Sequence, residues 1–341
     1  MSTARKLGLV GLTVLSLYLL CAAGLLPQGD RMKNVTVADE PLPIPSPVTA
    51  ESPPPTQASP VPAPVSAWSE DTPVAAEARR VLDSTPEAEV RPASLRGGLS
   101  IKNETSYEVD AAAILREGPG LSLPAEGPQI LIIHTHGSEA YTPAGLDRYE
   151  ASDSCRTQDP QYSIIRIGDE LAALLEQAGL RVLHDREIYD YPSYTGSYTR
   201  SGQAVEAYLS QYPDIAVVLD VHRDALGSDD VVYKTLAEEE GVCASQVMLL
   251  VGSDDSGLEH PNWRRNLSLA LYLQQAVDYL HPTLMRPVEL VPQRYNQHLS
   301  PGSLILEVGS SGNTLQEALA AIRLFADAAG PALAQLQGDA G

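Results

Sequence analysis

Prolines are concentrated in one part of this 341-residue chain, and their position limits where the chain can fold. Fourteen of the 27 prolines lie between Pro27 and Pro92, among small and acidic residues and without apolar periodicity. A segment of this composition favours extended polyproline conformations and cannot bury a hydrophobic core. We therefore predict a disordered tether over residues 27–120 and one folded domain over residues 121–337, which is long enough to bury a sizeable core.

An uncharged apolar run comes before the tether. Leu7–Leu26 contains 20 residues without a charged side chain and follows Arg5 and Lys6. Its length matches the hydrocarbon core of a bilayer, so we predict one transmembrane helix over residues 7–26, with residues 1–6 in the cytoplasm and the folded domain outside it. A cleaved signal peptide is the alternative, because Cys21-Ala22-Ala23 resembles a cleavage site.

The charge balance excludes one class of partner, and the cysteines leave one question open. Acidic residues outnumber basic ones by 44 to 23, which gives a formal charge of −21, and no Lys/Arg cluster is present. A nucleic-acid-binding protein usually carries a basic surface, so we predict no nucleic-acid partner. Beyond the apolar run only Cys155 and Cys243 remain, and either a disulfide or two free thiols is compatible with the sequence.

The folded region alternates between strand-like apolar runs and helix-like apolar stripes. This alternation predicts an α/β fold with a mostly parallel sheet and helices on both faces. The predicted strands are residues 130–133, 181–183, 215–221, 246–251 and 304–306, and the predicted helices are residues 164–178, 201–212, 262–280 and 314–336.

Polar side chains follow three of the predicted strands at the point where each strand ends. The first strand runs into His134-Thr135-His136-Gly137-Ser138-Glu139, the third into Asp220-Val221-His222-Arg223-Asp224, and the last into Glu307. Sites in parallel sheets form at the carboxyl ends of strands. Imidazole and carboxylate groups are the zinc ligands when thiolates are absent, and catalytic zinc keeps three protein ligands and one open position. The pattern therefore predicts a zinc hydrolase site, with a further carboxylate as general base.

The ligands are assigned by their position in these segments. We predict His136, Glu139 and His222 as ligands of Zn²⁺ and Glu307 as the catalytic carboxylate. His134 remains open as an outer-shell group or as an alternative to Glu139.

Three further charged residues in the second segment have open roles. Asp220 and Asp224 are predicted to orient His222 or to pair with Arg223, since metal-bound imidazoles commonly donate their other N–H to a carboxylate. Arg223 either stabilises the oxyanion of the reaction or forms such an ion pair.

Two loops offer groups for binding substrate. The predicted substrate-binding residues are Tyr194 and Tyr198 in a tyrosine-rich loop and Arg294, Asn296 and His298 in a later one. An acidic loop at residues 252–261 could hold a second metal ion, but a solvated loop is the favoured interpretation.

Five segments resemble the stage II sporulation protein P family, in the same order along the chain. They are Ile130–Tyr141 (ILIIHTHGSEAY), Tyr191–Ser201 (YPSYTGSYTRS), Leu219–Ala225 (LDVHRDA), Arg294–Leu299 (RYNQHL) and Leu306–Asn313 (LEVGSSGN). The resemblance covers residues 128–329 and extends to the predicted membrane helix and tether.

This resemblance implies an activity, a fold and a location. It implies a zinc-dependent N-acetylmuramoyl-L-alanine amidase that hydrolyses peptidoglycan, with a fold similar to other zinc amidases of cell-wall turnover and with endopeptidase activity on peptide cross-links. It further implies action in forespore engulfment with the stage II sporulation proteins D and M, from the cell membrane into the intermembrane space at the sporulation septum. By the same resemblance His136 and His222 match the metal histidines, Glu139 a carboxylate ligand and Glu307 the catalytic glutamate.

Two other functions are weighed against this one. A non-catalytic cell-wall-binding scaffold with an amidase-like fold is the main alternative. A serine hydrolase using Ser138 or Ser310 is disfavoured, because the sequence contains no G-x-S-x-G motif.

Overall fold

The computed structural model describes residues 90–91, 100–227, 232–239 and 241–338. The predicted transmembrane helix, residues 7–26, and most of the predicted tether lie outside these residues. Within the described ranges, no helix combines the length and the apolar character needed to cross a membrane.

The described residues form eleven strands and five α-helices. In chain order they are β1 (Val90–Arg91), β2 (Ile101–Asn103), α1 (Ala111–Glu117), β3 (Ile130–Ile133), α2 (Ile164–Gln177), β4 (Val182–His184), α3 (Ser197–Gln211), β5 (Val217–Asp224), β6 (Lys234–Thr235), β7 (Ala237–Glu239), β8 (Val242–Ala244), β9 (Val247–Gly252), α4 (Trp263–Leu280), β10 (Val288–Val291), β11 (Ser303–Ser310) and α5 (Leu315–Ala334).

Seven strands form the central sheet, in the order β2-β10-β9-β11-β5-β3-β4. Strands β4, β3, β5 and β11 are mutually parallel, and so are β2, β10 and β9, while β11 and β9 pair antiparallel. The prediction of a mostly parallel α/β sheet is therefore confirmed. The carboxyl ends of β3, β5 and β11 share one edge of the sheet, and those of β9 and β10 lie at the opposite edge.

Helices cover both faces of the sheet, and the alternation of side chains along β5 shows the two layers. Val217, Leu219 and Val221 belong to the larger core, which packs against α1, α2, α4 and α5. Val218 points to the other face and packs in a smaller core with Val205 of α3. Asp220 and His222 follow Val218 with a period of two, so they lie on the α3 face.

The helices begin and end where local chemistry favours it. Ser163 caps α2 by accepting a hydrogen bond from the backbone N–H of Ile165, and Gly179 follows the helix with a φ of +87°. Thr314 and Glu317 form a capping box at the start of α5. Such caps satisfy backbone N–H groups that the first turn leaves without partners.

The folded domain extends into the range predicted as tether. Strand β2 pairs in parallel with β10, and the apolar residues of α1 pack against the larger core. The predicted boundary at residue 121 is therefore too late. The sequence concealed this because β2 has three residues with one apolar side chain and α1 has seven, so neither shows a clear period. Cys155 and Cys243 are not joined by a disulfide.

Candidate active site

Three parallel strands bring the predicted catalytic residues to one edge of the sheet. Glu307 of β11 is directly paired with His222 of β5, and Ile133, the last residue of β3, is paired with Asp220. His136 and Glu139 lie in the turn that follows β3. Relative exposures of 6%, 5% and 4% for His136, Glu139 and His222 show that the three side chains are buried.

The imidazole of His222 lies between two carboxylates. Its Nε2 is 2.8 Å from Asp220 Oδ1, at an angle that does not make a hydrogen bond, and its Nδ1 is 3.6 Å from Glu139 Oε2. Burial opposes the charged form, but the charges of Asp220 and Glu139 outweigh it and raise the pKa of His222 to about 10. The ring is therefore held with one nitrogen toward each carboxylate.

The imidazole of His136 faces that of His222. The ring centroids are 5.3 Å apart and the planes are nearly perpendicular. Nδ1 of His136 is buried without a hydrogen-bond partner, and Asp190 Oδ2 lies 3.9 Å from it. Burial, together with the positive charge of His222, lowers the pKa of His136 to about 4, so this imidazole is neutral near pH 7.

Glu139 is held as a carboxylate. The backbone N–H of Arg223 donates to its Oε2 at 3.2 Å, and Nη2 of Arg156 lies 3.4 Å from its Oε1. Burial alone would raise the pKa of Glu139, but Arg223 and His222 outweigh it and the pKa is lowered.

Glu307 differs from Glu139 because its carboxyl group has an unpartnered atom. Oε2 is buried without a hydrogen-bond partner, and burial raises the pKa of Glu307 to about 8. A buried carboxylate with free acceptor capacity can take up a proton near neutral pH, which is the requirement for a general base.

These donors fit zinc in chemistry and in pairwise spacing. Two imidazoles on one tetrahedral zinc, at ~2.0–2.1 Å per Zn–N bond, place their ring centres roughly 5 Å apart and neighbouring ligand atoms roughly 3.4 Å apart. The 5.3 Å between His136 and His222 and the 3.6 Å between Glu139 and His222 are close to these values. Within the described ranges, however, no group of three or more His, Cys, Asp or Glu side chains is close enough together to hold a metal ion as it stands.

The structure places His134 away from this cluster. Its Nδ1 lies 2.9 Å from the carbonyl oxygen of Val221, and its Nε2 lies 2.8 Å from Nε2 of His184. Gly168 of α2 makes room for this pair, because a Cβ there would lie 2.5 Å from both Nε2 atoms. The alternative in which His134 replaces Glu139 as a ligand is therefore not supported. Strand β3 ends at Ile133, so the alternation of side chains along the strand does not extend to His134 and His136.

Arg223 and Asp224 also take other partners than those predicted. The guanidinium of Arg223 donates to the carbonyl oxygens of Ala140 at 2.9 Å and Cys155 at 3.0 Å, which ties the loop after β3 to β5. Asp224 pairs with Arg286 at 2.7 Å. Neither an oxyanion role for Arg223 nor an ion pair with Asp220 or Asp224 follows from this geometry, because backbone carbonyls already occupy its N–H groups.

Two aromatic rings cover the histidines. Tyr194 stacks on His136 with centroids 4.5 Å apart and is 54% exposed, while Tyr198 is parallel to the ring of His222 at 6.5 Å. The guanidinium carbon of Arg156 lies 5.1 Å from the centre of the Tyr194 ring. Tyr194 therefore presents an exposed aromatic surface directly above the site.

The sequence did not point to Arg156 or Asp190. Asp190 accepts hydrogen bonds from the backbone N–H and the hydroxyl of Ser138, at 3.1 and 2.6 Å, and Arg156 pairs with the same carboxylate. The only available signal was that Asp190 immediately precedes the segment Tyr191–Ser201. Ser138 therefore bonds to a carboxylate, and Ser310 donates to the carbonyl oxygen of Tyr233, so neither hydroxyl is paired with an imidazole base.

The second predicted substrate loop is divided between two places. Asn296 donates to the carbonyl oxygen of Tyr198 at 2.8 Å and so contacts α3. His298 lies instead beside His260, with ring centroids 6.4 Å apart, and Arg294 donates to the carbonyl oxygen of Glu259.

The acidic loop before α4 is bound to the chain near β2. Asp254 accepts from the hydroxyl of Tyr107 at 2.8 Å, and Asp255 accepts from the backbone N–H of Ser106 at 2.9 Å. These bonds hold the loop against the chain near β2, whereas a solvated loop was the favoured interpretation.

Comparison with known proteins gives a family match over most of the chain. The family model described as Stage II sporulation protein P matches residues 68–330. Stage II sporulation protein P of Bacillus subtilis (strain 168) is 25% identical over 209 residues, which are 58% of this chain and 49% of that protein. The chain thus spans about half the length of this curated relative.

Solved structures of amidases also match. N-acetylmuramoyl-L-alanine amidase AmiC2 of Nostoc punctiforme matches with a TM-score of 0.35 and 13% identity, over 62% of this chain and 97% of that one. The CwlD amidase of Clostridioides difficile, solved in complex with the GerS lipoprotein, matches with a TM-score of 0.36 and 14% identity, over 61% of this chain and 98% of that one.

Proposed function

Because the chain belongs to the stage II sporulation protein P family, we propose that it is a zinc-dependent peptidoglycan hydrolase. Its substrate is the amide that joins N-acetylmuramic acid to the L-alanine of the stem peptide, and peptide cross-links are a second bond class to be tested. The observation that supports this proposal best is the buried cluster of His136, Glu139 and His222 beside the unpartnered carboxyl oxygen of Glu307.

His136, Glu139 and His222 are the residues that would hold the zinc ion. When bound, zinc would supply a Lewis acid that polarises the amide carbonyl and lowers the pKa of water. The carboxylates of Asp190 and Asp220 lie beside the two histidines, as outer-shell partners of metal-bound imidazoles commonly do.

Proton transfer is assigned to Glu307. Its carboxylate accepts the proton of the attacking water and returns it to the departing amide nitrogen. Tyr194 is exposed above His136 and offers a stacking surface for a sugar ring or a peptide group. Tyr198 shields the ring of His222 from solvent on the α3 side.

We further propose that residues 7–26 anchor the protein in the cell membrane and that the tether carries the domain to the wall on the extracytoplasmic side. The partners proposed from the family are peptidoglycan itself and the stage II sporulation proteins D and M. The setting is forespore engulfment at the sporulation septum.

Glu307→Gln in the full chain tests the mechanism. We expect this variant to bind Zn²⁺ as the parent does and to release muropeptides from purified sacculi at a rate lower by ~10²–10⁴-fold, the usual contribution of a general base. Tyr279→Phe is the control, since Tyr279 is 85% exposed at the end of α4. Hydrolysis that survives EDTA would refute the zinc assignment, and zinc binding without any muropeptide release by the parent would favour the scaffold alternative.

A further inference from the structure

A network of polar side chains connects the loop after β10 to His222. Asn296 Nδ2 lies 3.1 Å from Ser201 Oγ, Ser201 Oγ lies 2.7 Å from Thr135 Oγ1, and Thr135 Oγ1 lies 2.6 Å from Asp220 Oδ2. Asp220 Oδ1 then lies 2.8 Å from His222 Nε2. Thr135 and Ser201 are completely buried.

The direction of every hydrogen bond in this network follows from which groups can donate. The carboxylate of Asp220 accepts two hydrogen bonds from Thr135, one from its backbone N–H at 2.8 Å and one from its hydroxyl at 2.6 Å. The hydroxyl proton of Thr135 therefore points to Asp220. A hydroxyl has one proton, so Thr135 must accept from Ser201.

The far end of the network is fixed in the same way. The hydroxyl of Ser201 donates its one proton to Thr135, so in its contact with Asn296 it accepts from the amide nitrogen. The same amide nitrogen donates to the carbonyl oxygen of Tyr198, which also requires the N–H group on that side. Gly202 makes the approach possible, because a Cβ there would lie 2.8 Å from Asn296 Oδ1.

We propose that Thr135, Ser201 and Asn296 are positioning residues that fix the rotation of the His222 ring through Asp220. The hydroxyl of Thr135 holds Oδ2 of Asp220 and its backbone N–H holds Oδ1, and Oδ1 in turn lies 2.8 Å from Nε2 of His222. Nδ1 is then turned toward Glu139. The inference rests on the proposed function in one respect, namely that His222 is a zinc ligand.

Through this network Thr135, Ser201 and Asn296 act on a site that they do not themselves line. Metal-bound histidines depend on the carboxylate that holds their second nitrogen, and loss of such a partner commonly costs 10–100-fold in metal affinity. Here the carboxylate is itself held by a hydroxyl, a second hydroxyl and an amide from three different segments of the fold.

Thr135→Val tests the proposal because valine has nearly the shape of threonine and lacks the hydroxyl. Thr135→Ser is the conservative partner that keeps it. In the metal-free full chain, ¹⁵N-histidine NMR should show the same Nε2 chemical shift for His222 in the parent and in Thr135→Ser. We expect this signal to broaden or shift in Thr135→Val and in Ser201→Ala.

Zinc affinity, measured by chelator competition, is the second readout. We expect about a tenfold loss in Thr135→Val, a smaller loss in Ser201→Ala and a change within about twofold in Thr135→Ser. Ser268→Ala is the matched control, because Ser268, like Ser201, is a buried serine in a helix. Its hydroxyl donates to the backbone carbonyl of Gly118 at 2.8 Å, on the opposite face of the sheet. It should keep both the NMR signal and the affinity.

The outcomes separate this inference from the proposed function. An unchanged His222 signal in Thr135→Val and Ser201→Ala would overturn the positioning role, whatever the zinc affinity. A parent chain that binds no zinc would refute the zinc assignment, while the NMR comparison would still decide the positioning role. Should Thr135→Val fail to fold, Ser201→Ala gives the same comparison at one bond farther from His222.

Discussion

Gly168→Ala should destabilise the fold although alanine is the better helix former. Gly168 lies inside α2, where replacement of glycine by alanine in open space would stabilise by about 1 kcal/mol. Here the new Cβ would lie 2.5 Å from Nε2 of both His134 and His184, closer than real Cβ atoms come to other heavy atoms. The hydrogen-bonded histidine pair must therefore separate.

The loss of stability has two parts, one from overpacking and one from the broken hydrogen bond. Forcing a methyl group into a packed site costs ~1–3 kcal/mol. Leaving the buried Nε2 of His134 without its partner costs a further ~1–3 kcal/mol. After the gain of about 1 kcal/mol in helix propensity is subtracted, the net loss is about 1–5 kcal/mol.

Urea unfolding at constant m-value measures this loss, and a double-mutant cycle identifies its cause. His184→Ala removes one of the two obstructing rings, so Gly168→Ala should cost less in that background, by at least about 1 kcal/mol. If Gly168→Ala were as stable as the parent, or if its cost were the same in both backgrounds, the argument from the histidine pair would be refuted.

Two further predictions concern buried charges. Lys234→Met should destabilise the fold by ~3–5 kcal/mol in urea unfolding, because Nζ of this buried lysine pairs at 2.9 Å with the equally buried Glu317, whose charge would lose its partner. Recovery of stability in the double variant with Glu317→Gln would support that cause. An unchanged unfolding midpoint for Lys234→Met would contradict it. Asp278→Asn should stabilise above neutral pH and have little effect near about pH 4, because both carboxyl oxygens of Asp278 are buried without a hydrogen-bond partner among the described residues and burial raises its pKa to about 7. The folded state keeps this acid protonated, whereas the unfolded chain ionises it above its usual pKa, so the parent loses stability as pH rises from about 4 toward about 7. A shift of about three pKa units, at about 1.4 kcal/mol per unit, makes the gain of Asp278→Asn at about pH 8 on the order of 4 kcal/mol. A gain independent of pH would contradict this reasoning.

The strands that could be predicted are those buried on both faces. Ile130–Ile133 and Val217–Leu219 are buried and read as continuous apolar runs, because a strand covered on both faces carries apolar side chains at every position. Strands β2 and β10 could not be recognised in the same way. Val288–Val291 stands between two prolines and contains Glu289, and its strand conformation depends on pairing with β2 and β9.

The site was predictable where its residues follow directly from such strands. His222 and Glu307 belong to buried strands, so their position in the chain already placed them at one edge of the sheet. The contacts of Asp190 and Arg156 depend on how two loops fold against each other, which no spacing in the sequence reports. His134 shows the opposite failure, because its place in the polar segment after β3 left it open as a ligand, whereas its ring contacts Val221 and His184.

The position of β11 in the sheet also has a consequence for biosynthesis. This strand lies at the centre of the sheet between β9 and β5, yet it is the last strand among the described residues. Until the ribosome has released residues 303–310, the nascent polypeptide can form only two separate groups of the described sheet strands, and Glu307 is absent. The candidate site is therefore assembled only after every other strand of this sheet has been made, and fragments truncated before residue 303 lack the central strand that joins the two groups.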